Sequence, residues 1–114
     1  MAATAQDFSM YEGETRPVQI TIQDEAGDPV DVTGWTIQWT LNTSTPVTKS
    51  TTAGTLVIND GPNGVIAFTL QPADTAGVGT VTKRHECKAR GPAGQYVVTV
   101  GTATVSDSLH GVLA

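Results

Sequence analysis

The chain has 114 residues, 39% of them hydrophobic, and its 11 acidic and 6 basic residues give a formal net charge of −5. This size supports one domain with its own core, and the composition is that of a globular chain, not a disordered one. The acidic balance argues against nucleic acid as the main partner, no run approaches the ~20 apolar residues that span a bilayer, and Cys87, the single cysteine, excludes an intramolecular disulfide.

In chain order, "MAATAQDFSMYEGET" has no basic stretch followed by an apolar run, so no signal peptide is expected. Residues 1–14 read as an N-terminal arm. "PVQITIQ" alternates, with Val18, Ile20 and Ile22 on one face, and ends in the turn "DEAGDP". "GWTIQWTL" alternates again and aligns Trp35, Ile37, Trp39 and Leu41. Four such side chains together would make a sticky patch if exposed, so Ile37, Trp39 and Leu41 are expected in the core. Trp35 shares that face and is read as core too, with half cover at the strand start as the alternative.

"VTKST" reads as a short edge strand whose Lys49 discourages edge pairing. "GTLVIND" and "GVIAFTL" flank "DGPNG", a hairpin signal that places Ile66, Phe68 and Leu70 on one face. "QPADTAGVG" reads as a loop with one helical turn from Pro72 to Ala76, where Asp74 or Gln71 can satisfy free backbone donors. "TVTKRHECKAR" and "QYVVTVG" form a second hairpin through "GPAG", with Tyr96, Val98 and Val100 assigned to the core. "TATVSDS" closes the pattern, and residues 107–114 form an apolar tail. The result is all-β, with roughly seven or eight short strands at about ten-residue spacing, the rhythm of a sandwich or small barrel.

Chemistry-bearing motifs are sparse. His85 and Cys87 share a strand face, but no oxyanion loop accompanies them; a semi-buried thiol beside a solvated histidine is expected. With two histidines, one of them in the tail, a His-based zinc site within the chain is not expected. Asp24, Glu25, Asp28 and Asp31 lack EF-hand spacing and read as turn chemistry. No metal, cofactor or catalytic residue is therefore assigned. Four of the six basic residues fall in "KRHECKAR". There Arg84, Glu86, Lys88 and Arg90 share one face, a charged stripe suited to solvent or to an acidic neighbour.

Several motifs together resemble a phage pattern. They are "YEGETRPVQITI", the turn Asp24, Gly27, Pro29, Val30, Asp31 leading to Thr33, Gly34 and Trp35, the run Gly64, Ile66, Leu70, Pro72, Asp74, Thr75, and the closing Gly101 to Val105. Over residues 11–106 the chain resembles the immunoglobulin-like N-terminal domain of phage baseplate upper proteins and related small virion domains. It departs from that family at "GTVTKRHECKAR", a basic strand where the family carries an aromatic one. It also lacks the family's long C-terminal extension, so a free-standing module is expected.

The resemblance implies a single immunoglobulin-like β-sandwich of antiparallel strands over residues 15–106. It also implies a non-enzymatic structural role in a virion assembled in the bacterial cytoplasm. A tail, baseplate or neck subunit is the leading expectation, with a head decoration protein or a carbohydrate- or host-surface-binding module as alternatives. Expected partners are other virion proteins and further copies in a symmetric homo-oligomer, with no nucleic acid and no membrane. Expected interface residues are Arg84, Glu86, Lys88 and Arg90 on the stripe, with Phe8, Tyr11, Leu109, Val112 and Leu113 in the arm and tail.

Overall fold

Alternation of apolar with polar residues becomes strand structure nearly throughout. The structure, a computed structural model, describes residues 4–108. Its strands are β1 (Thr4–Ala5), β2 (Phe8–Tyr11), β3 (Arg16–Thr21), β4 (Thr36–Leu41), β5 (Val47–Ser50), β6 (Leu56–Asp60), β7 (Val65–Leu70), β8 (Val81–Gly91) and β9 (Gly94–Ser106). One helical turn, α1 (Pro72–Thr75), joins β7 to β8.

The strands form two sheets. The 6-stranded sheet has the order β1-β9-β8-β4-β5, with β2 also on β9, and the 3-stranded sheet has the order β3-β7-β6. Strands β9, β8, β4 and β5 against β3, β7 and β6 reproduce the two-sheet arrangement of variable-type immunoglobulin domains. The buried Trp39 on β4 stands where such domains carry their core tryptophan. All but two strands pair antiparallel; β1 and β2 run parallel to β9 and raise the count to nine.

The core lies between the sheets. Ile37, Trp39, Leu41, Cys87, Ala89, Val98, Ala103 and Val105 from the larger sheet meet Val18, Ile20, Leu56, Ile66, Phe68 and Leu70 from the smaller. Ile22, just past β3, is also fully buried. Each large aliphatic or aromatic side chain among them contributes roughly 1.5–3 kcal/mol on burial. The Trp39 and Phe68 rings, one from each sheet, lie 4.4 Å apart. Trp35 is half-buried over Gly91, where any Cβ would run into its indole ring.

Val100 corrects the assigned core. The β8–β9 register passes from Lys88 opposite Val97 to Cys87 opposite Thr99, so Val98 is an extra residue on β9. This bulge reverses the parity of everything after it. Thr99 and Ala103 therefore turn inward, whereas Val100 lies opposite Glu86 on the outer face and is half-buried. Tyr96, ahead of the bulge, packs at the core's margin.

The segment expected to be an arm is part of the larger sheet. Gln6 N–H donates to Val100 O at 2.8 Å, and Glu12 N–H to Ser106 O at 2.9 Å. Between the two short strands the Asp7 carboxylate enters the ladder, accepting from Thr102 N–H at 2.9 Å. Gly101 is required opposite this kink, because a Cβ there would collide with Gln6 O. The arm's far end is tied as well, with Gly13 N–H donating to Thr75 Oγ1 at 2.8 Å.

Turn chemistry fixes the remaining geometry. Gly64 closes the β6–β7 hairpin at φ 70, a left-handed position favouring glycine, with Ile22 O and Val30 O 2.6 and 2.7 Å from where a Cβ would sit. Asp74 accepts from Gln71 N–H at 2.7 Å and so caps α1. The same carboxylate meets Lys49 Nζ at 2.8 Å. Lys49 thus points inward from edge strand β5 and is 8% exposed, an inward charge that blunts the edge instead of an outward one.

Candidate docking face on the larger sheet

The outer face of the larger sheet follows from strand parity. Because His85, Cys87 and Ala89 are buried, Arg84, Glu86, Lys88 and Arg90 must face outward. Register sets Arg90 beside Thr36, Lys88 beside Gln38 and Glu86 beside Thr40. On the other flank, Val97 lies opposite Lys88 and Val100 opposite Glu86. The curled sheet makes this face a trough of about 620 Å³, reaching from Asn42 to Gln95.

Its electrostatics are one-sided, with three cations against one carboxylate, which two of them share. Arg84 Nη2 lies 3.4 Å and Lys88 Nζ 3.7 Å from Glu86, with the two cationic side chains 68% and 53% exposed. Exposed pairs of this kind contribute little, so both cations remain available to a partner. Among the described residues Arg90 makes no ion pair. Alternation alone puts the stripe on one face and Val97 opposite Tyr96 and Val98, but not Val100 beside them, because the bulge that turns Val100 outward carries no sequence signal.

The other side of β8 corrects the expected histidine. His85 is 1% exposed, not solvated. Trp39 Nε1–H donates to its Nδ1 at 3.1 Å, so the proton resides on Nε2, which donates to Gln6 O at 2.6 Å. Burial pushes the His85 pKa below its ordinary value, against the opposing pull of the Gln6 carbonyl and the Asp7 carboxylate. Cys87, fully buried opposite Trp39, has its thiol pushed up to about 12 by burial and by the nearby Glu86 charge. The two side chains therefore form no activated dyad; His85 holds the N-terminal segment onto the core.

The remaining expected interface residues divide. Phe8 is half-buried, its ring 6.5 Å from Trp39 and 5.3 Å from His85, with the Arg16 guanidinium 5.8 Å above it. It anchors β2 to its own sheet. Tyr11 is 59% exposed and open to a partner. Leu109, Val112 and Leu113 lie outside the described residues. No group of three or more His, Cys, Asp or Glu among the described residues is arranged to hold a metal ion.

No protein-family model and no curated protein sequence matches the chain. Among solved structures, the N-terminal domain of phage TP901-1 ORF48 is similar, with a TM-score of 0.58 over 88% of this chain and 82% of that one. The two share the fold of a phage domain. At 13% sequence identity the likeness is one of fold alone.

Proposed function

We propose that the chain is a non-enzymatic structural subunit of a phage or prophage virion, docking as a small sandwich in the tail, baseplate or neck. The observation that carries this reading is the fold likeness to a phage domain over 88% of this chain. The short motifs around Gly27, Pro29, Asp31 and Gly34 point the same way. A head decoration role is the next placement in the same particle. A structural role also fits the engaged His85, the neutral buried Cys87 and an outer face rich in hydrogen-bonding and charged groups.

Docking on other virion proteins, in several symmetric copies, is the partner set this role requires. A carbohydrate platform draws no support from the tryptophans, since Trp39 is fully buried and Trp35 is half covered over Gly91. Quantitative mass spectrometry of purified particles from the encoding phage tests the proposal. A fixed copy number of a few to several dozen is expected for a tail, baseplate or neck component. Hundreds of copies would move the chain to the head, and absence from the particle would overturn the reading.

A further inference from the structure

We infer that the basic trough on the larger sheet receives the acidic tip of a second copy of this chain, in a head-to-tail contact. The tip is built by the loop between β3 and β4 and the β6–β7 turn. Val32 N–H donates to Gly61 O at 2.9 Å and Ile22 N–H to Gly64 O at 2.8 Å, which locks the two segments together. Asp24, Glu25, Asp28, Asp31 and Asp60 are all exposed there. The sequence holds no basic residue between Arg16 and Lys49, nor between Lys49 and Lys83, so the segments that build the tip carry acidic charges alone.

These carboxylates are displayed, not converged. Asp24 Oδ1 accepts from the Ala26 and Asp28 N–H groups, and Asp31 Oδ1 accepts from Thr33 N–H and Oγ1. Each thereby fixes its own turn through one oxygen. Among the described residues no group there is arranged to hold a metal ion, so the Asp24, Asp28, Asp31 and Asp60 charges act as a surface field.

Charge also selects the geometry. A two-fold pairing of trough on trough would set Arg84, Lys88 and Arg90 against their own copies, which like-charge repulsion opposes. Tip on trough sets carboxylates against the exposed Arg84 and Lys88, beside the small apolar strip of Val97 and Val100. Because the two surfaces differ, the contact is heterologous and propagates into a ring or a chain of subunits. This deepens the structural role proposed above by naming the partner, yet it is testable on the isolated protein.

Sedimentation velocity with charge reversal tests it, with circular dichroism confirming that each variant is folded. Wild type is expected to self-associate at about 0.05 M salt, with the apparent Kd rising at least about tenfold at about 0.5 M. Arg84→Glu with Lys88→Glu, and separately Asp28→Lys with Asp60→Lys, should each abolish association. An equimolar mixture of the two variants, or one chain carrying all four changes, should restore it. A wild type that stays monomeric at about millimolar concentration in low salt overturns the inference, as do reversals that leave association unchanged. Such a failure leaves incorporation into particles intact, and mass spectrometry reads that separately.

Discussion

Trp39 and His85 form the polar joint of an otherwise apolar core. The indole N–H satisfies His85 Nδ1, and His85 Nε2–H satisfies Gln6 O, so the buried indole and imidazole are paired out to the backbone of the N-terminal segment. Trp39→Phe removes the donor and leaves Nδ1 unpartnered in a smaller-filled space. Stability should fall by about 2–4 kcal/mol in urea denaturation. Thr99 shows the opposite case. The bulge turns it into the core opposite Cys87, and its Oγ1 has no hydrogen-bond partner among the described residues. Thr99→Val keeps the shape and removes the stranded hydroxyl. It should raise stability by roughly 1 kcal/mol, read as a higher urea midpoint at unchanged slope.

At the scale of elements, the sheets were legible in sequence because their residues alternate. "PVQITIQ", "GWTIQWTL" and "GVIAFTL" needed only the period of two, and "DGPNG" and "GPAG" named their own hairpins. Three features were not legible. The Val98 bulge leaves no mark in a run of valines, so Val100 was assigned inward. Lys49 reads as an edge charge, but its inward turn onto Asp74 depends on a residue 25 positions away. The first strands were hidden because "TAQDFSMY" is too polar to alternate cleanly, and their pairing depends on distant Gly101 and Thr102. That dependence gives a test. Gly101→Ala pushes a Cβ into Gln6 O, so the N-terminal strands should detach while the rest of the sandwich persists. Hydrogen exchange should lose protection at Gln6 and Thr102 and keep it along the β4–β8 ladder.

For the whole molecule, two buried groups set the pH range of stability. His85 has a folded pKa below the ordinary 6.5, so the unfolded chain takes up a proton first as pH falls. Its contribution is complete above that value and is lost on acidification towards the folded pKa. The Cys87 thiol, raised from 9.0 to about 12, keeps its proton in the fold while the unfolded chain loses it. Stability should therefore decline as pH rises through that interval. A plateau between about pH 6.5 and 9 is expected in urea midpoints, and Cys87→Ala should flatten only the alkaline limb.

At the same scale, the basic outer face of the larger sheet and the acidic tip give the sandwich two surfaces suited to charged neighbours. Tryptophans legible as core and a turn legible as phage-like led to the proposed structural role, but the docking surface needed the register of β8 against β4 and β9. The most direct measurement is an electron cryo-microscopy reconstruction of the intact particle in which this chain is proposed to sit. The expected result is density for the two-sheet body at symmetry-related positions in the tail, baseplate or neck, with the Arg84–Lys88 face buried against a neighbour. A particle complete without this chain, or one in which that face points to solvent in every copy, would contradict it.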